Sequence, residues 1–535
     1  MRRGSTWRNV VVITVALVLI GASLGADVGA MPVRGGTLTI GLDQEPPTLD
    51  PEASPSAVTF QIISDVTESL LYQTPDGKLV PWLATSYTVS PDGKSFTFKL
   101  RTDVTFTDGT PLTAEAVKWN FDRIVNPNYR AGSAGPEVAG YTGSTVLDDH
   151  TVRLDFKAPF APFLSYVAAG ALAIVSPKAT QAEGSAVNQK PVGSGPFVVS
   201  EYVAKDHITL TRNAAYNRRA PWSGHQGPPY VDRIVWKIIP EPGTRVATLQ
   251  SGETQMISTL GVPAAVLSQL TANRGLRVEK QPYPGVPRIW LLNVKLAPTN
   301  DLKVRQALEY GINRAIFVSS VYKGYGTPAC GPLTRHMLDD PSLCTMYPYD
   351  PKKAAQLLDE DGWKMGPNNV RMKGGQPLTL VINSINYGGG NLPEVELLQG
   401  QLLSLGVDAK IKSQARPPWY EDNYHCATNG PVMFLRSTDW DGLYALFSST
   451  NIGSNFNWSC YSNAEVDELL RQGRETYDAA RRRAIYDRVE HLVMQQAVAV
   501  PLFDELSVWV MRDTVKDVRY NYSAYPVLSD VYLQK

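Results

Sequence analysis

A group of charged, amide and aromatic side chains in the second half of this 535-residue chain offers the clearest chemistry in the sequence. The group consists of Asn386, Tyr387, Trp419, Arg436, Asp439, Trp440 and Tyr444. Aromatic rings with a few charges suit a cleft for a small molecule, because the rings cover apolar surface and the charges fix its orientation. We therefore predict a ligand-binding site here.

Each of these residues also has a plainer interpretation. Trp440 and Tyr444 could be core residues, and Trp419, which follows two prolines, could be a rigid loop anchor. Arg436 and Asp439 could form a surface ion pair of little energetic value. The sequence pattern leaves these alternatives open.

The spacings that mark common enzymes and metal sites are missing from the sequence. It contains no G-x-S-x-G nucleophile elbow and no H-E-x-x-H zinc motif, and its six histidines are scattered without ligand spacing. Asp439 and Asp441 could act as an acid–base pair, but nearby carboxylates without a fixed partner usually belong to a polar loop. Residues 193–196 (GSGP) resemble a phosphate loop, yet strand-like sequence follows where a helix should begin. We predict no catalytic residues, no metal site and no cofactor, so the chain is not expected to be an enzyme.

Composition and charge narrow the class of protein further. The 51 lysines and arginines equal the 51 aspartates and glutamates, which argues against a nucleic-acid partner held by overall positive charge. Hydrophobic residues make up 43% of the chain and charged residues only 19%, as is typical of a folded protein. A chain of this length is too long to fold around a single hydrophobic core, so we predict two to four domains.

The first 30 residues have the pattern of a secretory signal peptide. Arg2, Arg3 and Arg8 precede an apolar run over residues 10–20, and small residues follow up to Ala30. The alternative is an uncleaved membrane anchor, since residues 10–26 could nearly span a thin bilayer. No cysteine lies directly after the apolar run, which argues against a lipoprotein anchor. We predict an exported, periplasmic protein.

Four cysteines, Cys330, Cys344, Cys426 and Cys460, are the only ones in the chain. An even number in an exported protein favours disulfides over free buried thiols, and no C-x-x-C spacing indicates a zinc or redox site. Four cysteines allow three pairings. Proximity in sequence favours Cys330 with Cys344 and Cys426 with Cys460.

Caps, turns and apolar spacing then predict the elements that position these residues. The predicted helices are 56–71, 114–124 after the cap Thr113, 301–322 after Asp301, 394–405 before Gly406, one opened by a capping box of Ser462 and Glu465, and 478–496 after Asp478. Strands at 86–90 and 95–100 flank a turn and should form a hairpin. Strands at 378–383 and 407–412 enclose a helix, and such a β-α-β unit predicts a parallel or mixed sheet covered by helices.

Short sequence blocks, in a fixed order along the mature chain, resemble one known family. They are residues 35–38 (GGTL), 47–51 (PTLDP), 68–72 (ESLLY), 81–84 (PWLA), 104–121 (VTFTDGTPLTAEAVKWNF), 193–197 (GSGPF), 212–216 (RNAAY), 304–308 (VRQAL), 349–351 (YDP), 362–363 (GW) and 463–467 (NAEVD). The chain thus resembles the family 5 solute-binding proteins of ABC transporters, the peptide/nickel type, which includes dipeptide and oligopeptide binders.

The resemblance implies an α/β fold like that of the periplasmic binding proteins, of type II in the large cluster C form. Two lobes are joined by a hinge, and lobe I carries an extra domain. The implied bounds are 1–30 for the signal peptide, 31–72, 188–292 and 501–535 for lobe I, 73–187 for the extra domain, and 293–500 for lobe II.

The resemblance also implies a function without chemistry on the ligand. A monomer would capture a peptide-like or other small polar solute between closing lobes and deliver it to an ABC permease at the membrane. In peptide-binding members, an Asp in a motif resembling W-x-x-D-x-x-D-P pairs with the ligand's amino group, and Asp439 occupies that position.

This chain departs from the family motif, because Arg436 stands where Trp is common and Gly442-Leu443 replaces Asp-Pro. Oligosaccharides, opines and metal chelates therefore remain alternatives to peptides. An exported hydrolase is the alternative from a different class of function.

Overall fold

The computed structural model describes Met1, residues 32–386 and residues 392–534. Tyr387 and residues 2–31, which include nearly all of the predicted signal peptide, lie outside the described residues. None of the helices in the described ranges is long and apolar enough to cross a membrane.

The strands form several sheets and are numbered here in chain order. They are β1 Thr37–Leu42, β2 Leu71–Gln73, β3 Leu79–Pro81, β4 Ala84–Val89, β5 Ser95–Leu100, β6 Tyr141–Asp148, β7 Thr151–Phe156, β8 Phe197–Val203, β9 His207–Arg212, β10 Arg233–Ile238, β11 Met256–Ser258, β12 Leu276–Pro282, β13 Gly285–Leu291, β14 Gly326–Pro328, β15 Lys364–Met365, β16 Arg371–Lys373, β17 Gln376–Pro377, β18 Thr379–Ile385, β19 Asp408–Gln414, β20 Val432–Arg436, β21 Ala499–Arg512, β22 Val515–Lys516, β23 Arg519–Tyr520, β24 Pro526–Val527 and β25 Tyr532–Leu533.

The α-helices are numbered in the same way. They are α1 Ala57–Ile63, α2 Ala114–Ile124, α3 Ala134–Glu137, α4 Phe163–Tyr166, α5 Pro177–Glu183, α6 Pro242–Ser251, α7 Ala264–Thr271, α8 Leu302–Gly311, α9 Arg314–Ile316, α10 Pro341–Met346, α11 Pro351–Glu360, α12 Leu392–Ser404, α13 Arg416–Tyr424, α14 Gly442–Phe447, α15 Ala464–Glu475 and α16 Ala479–Gln495.

The largest sheet has ten strands drawn from both ends and the middle of the chain. Eight of them lie in the order β20, β13, β21, β11, β1, β10, β9 and β8, and β12 and β14 pair with β21 outside this path. β1 runs parallel to β10 and β11, whereas the other pairs are antiparallel. This sheet is therefore mixed.

The long strand β21 joins the two halves of this sheet. Its first residues, Ala499 to Phe503, pair with β13, whereas Leu506 to Arg512 pair with β12. We call two parts of the fold lobe I and lobe II. Lobe I is built on β1, β8–β12 and the second half of β21. Lobe II is built on β13, β14, β20 and the first half of β21, and it also includes β18, β19 and α8–α16.

The chain also passes from lobe I to lobe II between β12 and β13. This crossing lies beside the one in β21, because the amide of Tyr283 donates to the Glu505 carbonyl over 3.4 Å. Gly285 follows with a φ of +118°, and a side chain there would collide with the Leu435 carbonyl. Glycine lets the two backbones approach. Strand pairing thus changes at residues 282–285, ahead of the predicted bound at 292, and the domain bounds themselves stay a prediction.

A separate antiparallel sheet follows lobe I's first strand in sequence, in the order β4, β5, β7 and β6. The predicted hairpin is confirmed, since Val89 pairs with Phe96. Thr113 caps α2 as predicted, its hydroxyl accepting a hydrogen bond from the Ala116 amide over 3.2 Å. Phe121 of α2 packs against Phe163 under this sheet. We call this sheet with α2–α4 the extra domain.

The predicted β-α-β unit is confirmed in lobe II. β18 and β19 pair in parallel, with Thr379 opposite Asp408, and α12 connects them. Gly406 follows the helix with a φ of +82°, the left-handed conformation that commonly ends helices.

The helix predicted over residues 56–71 is wrong beyond Ile63, where α1 ends. Asp65 instead accepts a hydrogen bond from the Leu528 amide over 2.9 Å. Glu68 is fully buried and accepts hydrogen bonds from Ser194 and Arg218, both at 2.6 Å. Buried carboxyl groups require such partners, so long-range contacts override the local helical pattern.

Two other predictions of helix ends need correction. Residues 301–322 form α8, α9 and a π-helical turn instead of one helix, because the Asn313 side chain accepts from the Ala315 amide and starts a new helix. Asn463, and not Ser462, caps α15, accepting from the amides of Glu465 and Val466.

Both cysteine pairs favoured by sequence proximity are bonded in the structure. Cys330 is joined to Cys344 with their Cα atoms 4.5 Å apart, and Cys426 to Cys460 with theirs 6.4 Å apart. The first bridge ties the start of lobe II to α10, and the second ties the end of α13 to the segment before α15.

We predict that peptide mapping without reductant finds these two bridges and no other pairing. Replacing both cysteines of one bridge by serine should lower the free energy of unfolding by about 3 kcal/mol for Cys330–Cys344 and about 4 kcal/mol for the longer Cys426–Cys460 loop, because the unfolded chain gains freedom. Wild-type protein unfolded in urea with reductant is the control. Four alkylatable thiols in protein exported to the periplasm would contradict the prediction.

Candidate functional site

The two strand crossings between the lobes surround a narrow cavity. Its walls include Tyr283, Arg288, Thr334, Phe434, Arg436 and Glu505. β13 contributes Arg288, β20 contributes Phe434 and Arg436, and β21 contributes Glu505 at the point where it passes from one lobe to the other. A molecule held here would touch the parts of the chain that must bend when the lobes move.

Two arginines share one carboxylate in this cavity. Glu505 lies 3.4 Å from the Arg288 guanidinium and 3.6 Å from the Arg436 guanidinium. Arg288 also lies 3.8 Å from Glu394, which accepts a close hydrogen bond from the Tyr322 hydroxyl. Burial raises the pKa of Glu394, although Arg288 opposes the shift. Among the residues that line the cavity, two arginines accompany one glutamate.

Aromatic rings hold the Arg436 guanidinium in place. Its central carbon lies 3.1 Å from the centre of the Tyr283 ring and 5.3 Å from that of Phe434. Phe434 also contacts Arg288, at 4.4 Å. Stacking occupies the faces of a guanidinium and leaves its edge available to acceptors. Arg436 therefore lines the cavity with aromatic partners that sequence reasoning did not identify, and its role in ligand binding stays a prediction.

Asp439 lies in a second cluster, where lobe II meets the extra domain. Arg482 of α16 donates to both of its carboxylate oxygens, at 2.8 and 2.5 Å, and Ser165 of α4 donates to one of them at 2.9 Å. The Asp441 amide donates to the other at 2.9 Å. Burial alone would raise the pKa of Asp439, but Arg482 outweighs it and holds that pKa below its usual value.

The carboxylate of Asp439 is thus saturated by protein groups, and the residue is only 4% exposed. A ligand ammonium could reach it only by displacing Arg482 or Ser165. The role of Asp439 as a ligand anchor stays a prediction.

Asp441 lies beside this pair and also reaches the extra domain. Arg474 lies 3.2 Å from its carboxylate, and the hydroxyls of Tyr486 and Tyr166 approach at 3.3 and 3.5 Å. Burial raises the pKa of Asp441 to about 7, with Arg474 opposing the shift. The sequence raises the possibility that Asp439 and Asp441 act as an acid–base pair. Their carboxylates instead contact arginine and tyrosine side chains, which indicates a structural role.

Further hydrogen bonds join lobe II to the extra domain. The Tyr477 hydroxyl donates to the Gly93 carbonyl at 2.6 Å and accepts from the Phe160 amide at 3.1 Å. The Ala161 amide donates to the Arg474 carbonyl at 2.7 Å. Lobe II is therefore in direct contact with the extra domain.

The remaining predicted site residues do not form one wall. Trp419 is buried in α13, with its ring 4.9 Å from that of Trp458, so it packs inside lobe II. Trp440 is partly buried and donates from its indole nitrogen to the Met337 carbonyl at 3.1 Å. Tyr444 carries the Arg474 guanidinium 3.9 Å above its ring.

Asn386, at the end of β18, is exposed, and its amide donates to the Gln414 carbonyl at 2.7 Å. The structure brings it against none of the other predicted residues through any described hydrogen bond.

Sequence reasoning missed Arg288 and Glu505 in the cavity. Each is an ionisable residue inside an otherwise apolar strand, in GVPRIWL of β13 and AVPLFDELSVWVMR of β21. Because burying a lone charge is costly, a charge in an apolar strand indicates a partner or a ligand. That signal is present in the sequence and could have identified both residues.

Among the described residues, no group of three or more His, Cys, Asp or Glu side chains could hold a metal ion. The cavity offers charge, aromatic faces and hydrogen-bond donors. It suits reversible binding of a polar solute.

We predict that Asp439→Ala lowers the free energy of unfolding by about 3–5 kcal/mol, because Arg482 would remain buried without its counter-charge. Urea unfolding measures the change. Glu465→Ala is the matched control, since it removes a carboxylate from an exposed pair with Arg488 and should cost less than about 1 kcal/mol. An Asp439→Ala variant as stable as wild type that fails to bind ligand would support the anchor role instead.

Comparisons with known proteins identify the family and the fold. The model of the family described as bacterial extracellular solute-binding proteins, family 5 middle, matches residues 78–454. The glutathione-binding protein GsiB of Escherichia coli strain K12 is 30% identical over 491 residues, which cover 87% of this chain and 90% of that protein.

Solved structures show the same fold. NikA from Brucella suis, in complex with Fe(III)-EDTA, superposes with a TM-score of 0.83 at 24% identity and covers 93% of this chain and 100% of its own. The periplasmic binding protein DppA from Helicobacter pylori, in complex with the peptide STSA, gives 0.75 at 24% identity, with 94% and 99% covered. The fold is that of the two-lobed periplasmic binding proteins. The chain belongs to the bacterial extracellular solute-binding proteins of family 5, the receptors of ABC importers.

Proposed function

We propose that this receptor binds a small peptide or peptide-like solute, such as glutathione, in the cavity between its lobes and passes it unchanged to a membrane permease. One observation carries the proposal. The cavity is lined by Tyr283 and Glu505 at the two crossings and by Arg288, Phe434 and Arg436 of lobe II, so a solute bound there contacts the hinge itself. We propose that the solute also reaches lobe I when the cleft closes, and that it favours the closed state because it makes more contacts there.

The peptide class is supported by the relatives. GsiB, at 30% identity over most of both chains, is named for binding glutathione. A charged end of a small peptide suits the chemistry of the cavity, whose walls include two arginines, a glutamate and aromatic rings.

Transport requires no bond to be made or broken, and we propose that the chain has no catalytic activity. We also propose that it acts in the periplasm after loss of its signal peptide. A cleft built within one chain needs no second copy, so the proposed active form is a monomer whose protein partner is an ABC permease. The proposed domain bounds are those predicted from the sequence, except that we place the hinge at residues 282–285 and 503–506, where the strand pairing changes.

We predict that native mass spectrometry of freshly purified protein detects one small peptide-like molecule per chain. Titration calorimetry of the stripped protein should then show binding of glutathione or of another short peptide at micromolar Kd or tighter. A chromogenic peptide incubated with the protein is the control and should stay intact. Catalytic release of its dye would contradict the receptor role and favour a hydrolase.

We predict that a saturating peptide reduces the radius of gyration in solution, because a ligand that binds both lobes shifts the population toward the closed state. Small-angle scattering with and without ligand measures this change. Bovine serum albumin with the same peptide controls for solvent contrast. An unchanged radius together with calorimetric binding would indicate a cavity that is rigid and already formed.

A further inference from the structure

Two buried hydrogen-bond donors face the cavity without a partner. Arg436 Nη1 and the Thr334 hydroxyl are both buried, and neither has a hydrogen-bond acceptor among the described residues. Thr334 is only 3% exposed, and both residues line the cavity. Buried donors in folded proteins nearly always have acceptors, so two orphans in one cavity point to a missing acceptor.

The backbone around Thr334 is already fixed. Its amide donates to the Gly285 carbonyl at 2.8 Å, and its own carbonyl accepts from the amide of Met337 at 2.9 Å. The position of the hydroxyl is therefore set by these backbone hydrogen bonds and not by a hydrogen bond of its own. It is held next to the first strand crossing.

The charges in the cavity favour an acceptor that is an anion. Arg288 and Arg436 share Glu505 at distances of 3.4 and 3.6 Å, longer than a strong charge-assisted hydrogen bond of about 2.7–2.9 Å. Glu394, near Arg288, is occupied by a hydrogen bond from the Tyr322 hydroxyl. Arg436 thus meets the carboxylate of Glu505 only at long range.

Stacking prepares Arg436 for a planar partner. Its guanidinium carbon lies 3.1 Å from the centre of the Tyr283 ring, so one face of the group is covered and its edge is the part available to an acceptor. A carboxylate can accept two parallel hydrogen bonds from such an edge. The Phe434 ring lies 4.4 Å from Arg288 and 5.3 Å from Arg436.

We propose that this cavity binds a carboxylate of the ligand, with Arg436 and Thr334 donating hydrogen bonds to it and Glu505 as the internal carboxylate that the ligand displaces. This inference rests on the proposed function and adds the charged group by which the solute is selected. Arg436 is a specificity-determining residue, because its charge rejects solutes that carry an amide or an amine in place of the carboxylate. Glu505 sets a threshold, because a ligand must compete with it.

The test pairs each probe with its neutral counterpart. Glutathione and a series of tripeptides, each as the free acid and as the C-terminal amide, are titrated into wild type by calorimetry. Free acids should bind at least about 30-fold more tightly than their amides, and Arg436→Gln should remove that difference. Compared with wild type, Thr334→Val should bind the acids about fivefold more weakly. Its binding of the amides, which is weak in wild type, should not change. Arg488→Gln, which removes a surface charge from α16, is the matched control and should keep the wild-type difference.

Glu505→Gln gives an effect of the opposite sign. Loss of the competing carboxylate should tighten binding of the free acids by about tenfold, a gain that a misfolded variant could not produce. Equal binding of acids and amides by wild type, or a weaker Glu505→Gln variant, would overturn the proposal while the peptide receptor stands.

A second probe series separates the inference from the proposed function. Non-peptide carboxylic acids of similar size, with their amides, are compared by thermal shift. If only these acids stabilise the protein and Arg436→Gln abolishes the effect, the peptide assignment fails and the carboxylate site stands. If no acid of either series stabilises the protein, both are wrong.

Discussion

One extended strand, β21, is hydrogen-bonded into both lobes at once, and the rest of the molecule is arranged around this constraint. Its first residues pair with β13 and its last with β12, so the lobes cannot separate by sliding. They can only bend about the residues where the pairing changes. The second crossing, at residues 282–285, lies alongside and keeps the bending axis in one place. A cleft that opens about such an axis keeps its deepest part nearly fixed while its mouth widens.

This constraint explains why charged residues occur in the middle of an apolar strand. Asp504 and Glu505 lie at the change of pairing, where Glu505 lines the cavity and Asp504 is buried beside Arg335. Burial raises the pKa of Asp504 to about 7, and the Arg335 amide and guanidinium oppose the shift. The hinge therefore carries one carboxylate in the cavity wall and, next to it, one whose charge depends on burial.

The sequence predicts local structure well and long-range contacts poorly. Thr113 and Asp478 cap their helices as expected, because a cap depends on residues two or three positions away. The partners of Asp439 could not be predicted in this way. Arg482 lies 43 positions further on and Ser165 belongs to another part of the fold. The same holds for α1, which stops early because Glu68 finds partners more than a hundred residues away.

The contact between the extra domain and lobe II has a consequence for the speed of transport. Opening the cleft must break the bonds from Ser165 to Asp439 and from Tyr477 to Gly93, and neither bond involves the solute. The closed state thus has a lifetime set partly by the protein itself. A weakly bound solute would then dissociate more slowly than its own contacts with the protein dictate. The permease would have to break these contacts between the extra domain and lobe II before it could receive the solute.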